Sequence, residues 1–315
     1  MLIRLMADGK FHSNNELMEK IGINIRTLYK YIQFIEYLGL EIIHKNPNGY
    51  SLSSSIQLLD RDIIMTQLNQ GTIEVVPIVN STNQYLLERI NQLNSGEACI
   101  AEYQQTGRGR YGRTWYSPFG YNIYLSLYWG FKHHLHKNRI MGLTVVVAII
   151  IAEVLLELGI KGVGVKWPND IYLEDRKLAG ILIDLPKDTS IELPIIVGIG
   201  INIRMSLSSI VPINTHWIDL HTLGINIDRN YLTAKLINEL FIALSDFEKS
   251  GFAPFIKRWF NLDRYLNRPV KLIVGHQEIT GIARGINSQG GLVLETNHTI
   301  RSWFLGDLSL RLNVK

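Results

Sequence analysis

The sequence predicts an α+β protein of three consecutive domains: an N-terminal winged helix-turn-helix, a central mixed sheet with helices, and a C-terminal SH3-like β-barrel. Three observations predict it. Residues 1–52 read as three short helices and a hairpin. Residues 74–202 carry glycine-bearing apolar strands around one long apolar helix. From Pro269 onward, short strands recur at regular spacing, with turns at Gly290-Gly291 and Asn297-His298. The expected domains are 1–55, 56–266 and 267–315.

In the first domain, residues 2–7 form a short helix ended by Asp8-Gly9. Ser13-Asn14-Asn15-Glu16 is a capping box that opens a second helix. Asn24 caps a third, whose stripe is Leu28, Tyr31, Ile32, Ile35 and Leu38, stopped by Gly39. Residues 41–44 and 50–52 pair across the Asn48-Gly49 turn. In such a domain the third helix enters a major groove. Arg26, Thr27, Tyr29 and Lys30 project away from the stripe and are the candidate DNA contacts, with Lys45 and Asn48 from the wing. Asp8, Glu16, Glu19, Glu36 and Glu41 nearly balance the cations, so the electrostatic signal for phosphate is weak. Residues 51–55 read as a polar linker.

Asp60 opens a helix, and 74–78 is a strand. Ser81, Thr82 and Asn83 cap an expected helix over 84–92, and their hydroxyls and amide also suit a polar ligand. The central feature is Gly107-Arg108-Gly109-Arg110-Tyr111-Gly112-Arg113-Thr114-Trp115, between strands at 98–103 and 121–127. Glycines let the backbone approach a ligand, arginines fork onto carboxylate or phosphate, and Trp115 covers a flat group. The spacing matches a dinucleotide fingerprint, but Pro118 and Gly120 stand where that motif needs a helix. No kinase catalytic loop follows. Lys177 starts an apolar strand, and the bare Gly180, Gly198 and Gly200 allow a flat ring to lie on the sheet. Asn202 is placed to read a purine edge. Lys132-His133-His134-Leu135-His136 lacks the spacing and partner ligands of a metal site and reads as an exposed connection, so no metal-ligating residue is expected.

A net charge of +4 permits an anionic partner without demanding one. The single cysteine, Cys99, excludes an internal disulfide framework and fits a reducing compartment. The first residues lack a signal peptide pattern, and the apolar run 141–152 is too short to span a bilayer. A cytoplasmic protein without membrane contact is expected.

Four segments together carry a resemblance: Gln104-Gln105-Thr106-Gly107-Arg108-Gly109-Arg110, Lys166-Trp167-Pro168-Asn169-Asp170, Arg176-Lys177-Leu178-Ala179-Gly180 and Gly198-Ile199-Gly200-Ile201-Asn202. In order along the whole chain, they resemble the biotin protein ligases, and the winged N-terminus resembles the bifunctional members that also repress the biotin operon. The resemblance implies a biotin/lipoate ligase-type catalytic domain at the centre. It implies formation of biotinyl-5′-AMP from biotin and ATP with Mg²⁺, then transfer to a lysine of the biotin carboxyl carrier protein of acetyl-CoA carboxylase. Loaded with biotinyl-5′-AMP as corepressor, such a protein binds biotin operator DNA as a homodimer. By the family pattern, Ser81, Thr82, Asn83, Gln104, Arg108, Gly109, Arg110, Lys177 and Gly180 hold biotin, and Lys177 and Arg110 are catalytic. Arg113, Trp115, Asn169, Asn202, Trp217 and Arg311 face the nucleotide. Tyr111 and the helix start Asn24-Ile25-Arg26-Thr27 differ from close bifunctional members. Two other readings share much of this pattern: a ligase whose winged domain only gates the site, and a lipoate-type ligase.

Overall fold

The computed structural model describes residues 1–315 apart from 46–47, 132–139, 187–192, 206–216, 298, 305–307 and 313–315. The N-terminal part contains α1 (Leu2–Met6), β1 (His12–Ser13), α2 (Asn14–Ile21), α3 (Ile25–Tyr37), β2 (Ile42–Lys45) and β3 (Gly49–Leu52). Ser13 Oγ accepts from the Glu16 N–H at 3.1 Å, but the Glu16 carboxylate turns to His12 and Lys20, so only half of the expected capping box forms. Asn24 caps α3 by accepting from the Thr27 N–H at 2.9 Å. Leu28, Ile32, Ile35 and Leu38 are buried, whereas Tyr31 is 44% exposed and leaves the stripe. The wing is a three-stranded sheet in the order β1-β3-β2. A two-residue strand such as β1 has no periodicity to read in advance.

Ser51 and Leu52 are buried in β3, so the polar connection begins later than the sequence suggests. It is also not free: Ile56 donates its N–H to Ala7 at 2.9 Å and joins Phe119 and Tyr121 in the core of the winged domain.

The central part comprises α4 (Arg61–Met65), β4 (Thr72–Val79), α5 (Thr82–Leu87), β5 (Glu97–Gln104), β6 (Ile123–Phe131), α6 (Ile140–Glu157), β7 (Gly164–Lys166), β8 (Asp170–Leu173), β9 (Arg176–Asp184), β10 (Leu193–Ile201), α7 (Arg229–Ser250) and α8 (Ile256–Leu262). Its sheet runs β4-β5-β6-β10-β9-β8-β7. The β4–β5 pair is parallel and every other ladder antiparallel, which gives the expected mixed sheet. Pro77 sits in β4, an edge strand, where a missing N–H is tolerated. Helix α6 is apolar on all sides because it is buried on nearly all sides. Among the described residues it is the one helix long and apolar enough to cross a membrane, and 78% of it is buried inside the protein.

Side-chain alternation gives the sheet two faces. Ile100, Leu125 and Ile199 join the large core with α6 and α7. Their neighbours Cys99, Ser126, Gly198 and Leu182 form one row across β5, β6, β10 and β9 on the other face. That face carries α5, packed through Leu86 on Cys99, Tyr128 and Ile196. Burial pushes the Cys99 thiol well above its usual range, which leaves it inert.

Strands β11 (Pro269–Val274), β12 (Gln277–Ile286), β13 (Leu292–Thr296), β14 (Thr299–Trp303) and β15 (Leu308–Leu312) make a second, wholly antiparallel sheet in the order β14-β13-β12-β11-β15. Val270, Leu272, Ala283 and Leu294 share the core of α6. Trp167 donates from Nε1 to the Gly290 carbonyl at 3.0 Å, tying the two sheets beside the cleft.

A buried ion pair holds the other junction. Arg229 and Glu102 meet at 2.8 Å with side chains 4% and 5% exposed. The same guanidinium donates to the carbonyls of Gln57, Gly120 and Asn122. Glu102 also accepts from the Leu59 N–H. The chain leaving the winged domain is therefore clamped to β5 and to the segment that follows the arginine loop.

Candidate functional site

Where β4 ends, the chain turns into α5, and Ser81, Thr82 and Asn83 are all buried. Ser81 is the N-cap residue but makes no side-chain cap bond, and the helix ends at Leu87 rather than at 92. Capping therefore does not explain these side chains. They turn onto the sheet instead. Gln104 Oε1 accepts from the N–H and hydroxyl of Thr82 at 3.0 and 3.2 Å. Ser126 Oγ lies 2.7 Å from Thr82 Oγ1 and 2.5 Å from Asn83 Oδ1. Asn83 Nδ2 donates to the Leu182 carbonyl and to Asp184 at 3.2 and 2.9 Å. A Cβ at Gly198 would overlap the Asn83 carboxamide, so the glycine is what admits it.

The arginine loop folds back over this polar floor. Trp115 N–H donates to the Gly107 carbonyl at 2.8 Å, Gly109 N–H to Arg113 at 2.6 Å, and Arg108 bridges Thr114. Tyr111 takes a left-handed conformation, φ 58°, to close the turn. Arg108 is paired with Asp184. Arg110 donates to Asn169 Oδ1 at 2.8 Å, and Asn169 Nδ2 in turn donates to the Ile181 carbonyl at 3.0 Å. Asn169 thus fixes the guanidinium of Arg110. A flat ring does lie on the bare sheet, and it is the protein's own: a Cβ at Gly180 or Gly200 would press into the Trp115 indole. Trp115 Nε1 is buried there without a hydrogen-bond partner. Lys177 Nζ lies 5.4 Å from the same ring and 2.7 Å from Asp170.

These elements enclose a cleft of about 470 Å³, counted to its open mouth. Ser81, Thr82, Asn83, Gln104, Arg108, Gly109, Arg110, Lys177 and Gly180 all line it, joined by Trp115 and Asn169. One wall is hydroxyl and amide, the other cationic. The arrangement suits a neutral polar group at one end of a ligand and an acid at the other.

Four expected nucleotide contacts stand outside the cleft lining. Asn202 spends its Nδ2 on the carbonyls of Lys177 and Ile218 at 3.4 and 3.3 Å. Trp217 bridges Lys177 through the backbone. Arg113 and Arg311 are exposed, and both charges reach Lys166. Sequence reading passed over Asp184, Ser126, Asp170 and Lys166. The last two stand in a quoted motif, but their place on the sheet depends on strand register.

In the winged domain, Arg26, Tyr29 and Lys30 are exposed on α3. The Thr27 hydroxyl donates to its cap Asn24 at 3.1 Å. Lys45 Nζ lies over the Phe11 ring at 5.3 Å. The three histidines of 132–136 lie outside the described residues, and no group of three or more metal-ligating side chains occurs among the described ones.

Comparison with known proteins agrees with this arrangement. Residues 75–202 match the biotin/lipoate A/B protein ligase family, 265–311 the biotin protein ligase C-terminal domain, and 1–51 an HTH domain. The chain is 50% identical to the bifunctional ligase/repressor BirA of Salmonella typhimurium, over 98% of this chain and 96% of that one. It is 30% identical to a biotin–[acetyl-CoA-carboxylase] ligase of Mycobacterium tuberculosis, over 71% of this chain and 83% of that one. The structure of the biotin protein ligase of Aquifex aeolicus in complex with biotin and ATP superposes with a TM-score of 0.67 at 30% identity, covering 76% of this chain and 99% of that one. Shared fold and 50% identity over 98% of its length lead to one conclusion: the chain belongs to the biotin protein ligase family.

Proposed function

We propose that the chain condenses biotin with ATP to biotinyl-5′-AMP and pyrophosphate, and then transfers biotin to one lysine of the biotin carboxyl carrier protein of acetyl-CoA carboxylase. The observation that carries this reading is the two-walled cleft. Ser81, Thr82, Asn83 and Gln104 offer hydroxyl, amide and backbone groups to a ureido ring, while Arg108, Arg110 and Lys177 face the acid end. A biotin carboxylate oxygen attacks the α-phosphorus of ATP, and the bond to the β-phosphate breaks. Charge gathers around the α-phosphate, where Lys177 and Arg110 stabilise it more in the transition state than in the ground state. Their partners Asp170 and Asn169 hold them in place beforehand. The indole of Trp115 covers the chain of the ligand and keeps water from the adenylate. Asp170, the partner of Lys177, would be the carboxylate to hold the Mg²⁺ that neutralises the nucleotide phosphates.

The second role is repression of the biotin operon. Biotinyl-5′-AMP orders the loops at the cleft, favours a homodimer along the β4 edge of the central sheet, and so favours operator binding by linkage. Arg26, Thr27, Tyr29, Lys30 and Lys45 contact the operator in this scheme. The domains act as residues 1–55, 56–266 and 267–315, in the cytoplasm where carrier and operon are found. Incubation with biotin, ATP and carrier protein tests the first role: one biotinyl group on one carrier lysine is expected. Modification by lipoate instead would overturn it. A gel shift on biotin-operon DNA with and without the adenylate tests the second.

A further inference from the structure

The floor of the cleft does not stop at its lining. Tyr124, Gly200, Gly180, Asp170 and Lys166 form one continuous row across β6, β10, β9, β8 and β7, each paired with the next. Paired residues of antiparallel strands present their side chains on one face. The row therefore leads from beneath Trp115, past the Asp170–Lys177 ion pair, to Lys166 on the edge strand. Lys166 makes no ion pair among the described residues. Its Nζ donates to the Tyr172 hydroxyl at 3.0 Å and lies 4.9 Å from that ring. Burial raises the Tyr172 phenol to about 12, so it stays protonated and accepts. Arg113 and Arg311 add their charge to the same place. Lys177 pairs with Asp170 at 2.7 Å, and Lys166 feels that carboxylate together with the charges of Arg113 and Arg311. The other carboxylate nearby, Asp175, is engaged by Arg264 and Arg268 at 3.1 and 3.5 Å. Burial, followed by the repulsion of the two arginines, lowers the Lys166 ammonium from its ordinary value despite Asp170. Such a gathering of like charge is costly in an empty protein and favourable beside a polyanion.

Resting on the ligase reading, we propose that Lys166, held by Tyr172, is the positioning group for the leaving pyrophosphate. The acyl end of the substrate lies at one end of the row and the β- and γ-phosphates at the other, with the α-phosphate between them at Lys177. As the bond between the α-phosphorus and its bridging oxygen breaks, the electron pair stays on that oxygen. Lys166 donates hydrogen bonds to the departing pyrophosphate without giving up a proton. Transfer to carrier protein involves no pyrophosphate, so this role is confined to the first half-reaction and its reversal.

The test uses the full chain with Lys166→Ala and Lys166→Met, the second keeping the aliphatic packing. Calorimetric titration with inorganic pyrophosphate should show binding weakened about tenfold or more, the scale for losing one charge-assisted hydrogen bond. Adenylation and pyrophosphorolysis of supplied biotinyl-5′-AMP should slow together, with the KM for pyrophosphate raised. Transfer from supplied biotinyl-5′-AMP should change less than about threefold, within the scatter of a group with no contact in that step. Unchanged pyrophosphate affinity in both variants would overturn the proposal, as would transfer that falls in step with adenylation. A wild-type chain that forms no adenylate would defeat the ligase reading instead, whereas pyrophosphate binding lost at Lys166 would remain measurable in its absence.

Discussion

The ligand cleft and the recognition helix follow opposite rules. In the cleft nearly every polar side chain is held by another: Thr82 by Gln104, Asn83 by Asp184, Arg110 by Asn169, Lys177 by Asp170. On α3, by contrast, Arg26, Tyr29 and Lys30 stand exposed, and the fixed point is the Asn24 cap at the helix start. A reaction centre gains from groups aimed before the substrate arrives. A surface that reads base edges can order its long side chains on contact and uses the helix as its ruler. The difference teaches where each function is fixed: chemistry in a preorganised network, recognition in backbone placement.

The strongest way to break the comparison is at the joint between the two regions. Arg229→Leu leaves Glu102 buried without its partner and frees the segment after the winged domain. A loss of about 3–5 kcal/mol is expected in urea unfolding, because an uncompensated buried charge remains. An unchanged midpoint would mean that the clamp holds nothing. Next is the cleft itself. Lys177→Ala should slow single-turnover adenylation about a hundredfold or more, and a near-normal rate would return this lysine to an ordinary hairpin role. On the other side, Arg26→Ala should weaken operator binding by about 1–3 kcal/mol if it reads a base edge. Biotinylation should be unaffected, and a gel shift run beside a ligase assay separates the two.

The smallest effect sharpens the helix side. Burial opposes a charge on His12, but Asp8 and Glu16, at 2.9 and 3.2 Å, outweigh it and raise its pKa above 6.5. The stabilisation is therefore complete below the unfolded value of 6.5 and is lost as pH climbs through the higher folded value. Asp8 is lowered by His12, and Glu16 by Lys20 and then His12, so their part is lost as pH falls toward the acid range. The winged domain should unfold at lower urea at pH 8 than at pH 6, by about 1 kcal/mol, the scale of one net hydrogen bond. His12→Asn should remove that difference, and a difference that survives the substitution would place its source elsewhere.

Much of this was legible in the residues. Asn24 and Asp60 announce their helices locally, and the hairpin of the wing was legible too, although Gly49 lies in β3, paired with Lys45, rather than in the turn. The nine residues expected around biotin all reach one cleft, because three short segments, 81–83, 104–110 and 177–180, carried recognisable chemistry. What escaped was long-range. Ser126 and Asp184 meet Asn83 across separations of 43 and 101 residues, set by strand register alone. Gly180, Gly198 and Gly200 were read as room for a ligand ring, yet the ring beside Gly180 and Gly200 comes from Trp115, and the Asn83 carboxamide takes the space at Gly198. The expected helix over 84–92 ends at Leu87, and residues 90–92 form a separate 3₁₀ turn. Ser51 and Leu52 were read both as the end of the second hairpin strand and as the start of the linker, and pairing with β2 puts them in the wing.

The most direct test of the cleft is pyrophosphate exchange into ATP by the purified chain, with Lys177→Ala as control. Exchange that depends on biotin, is not supported by lipoate and collapses in the variant is the predicted result. Exchange driven equally by lipoate, or unchanged in the variant, would contradict a biotin-adenylating cleft built on these residues.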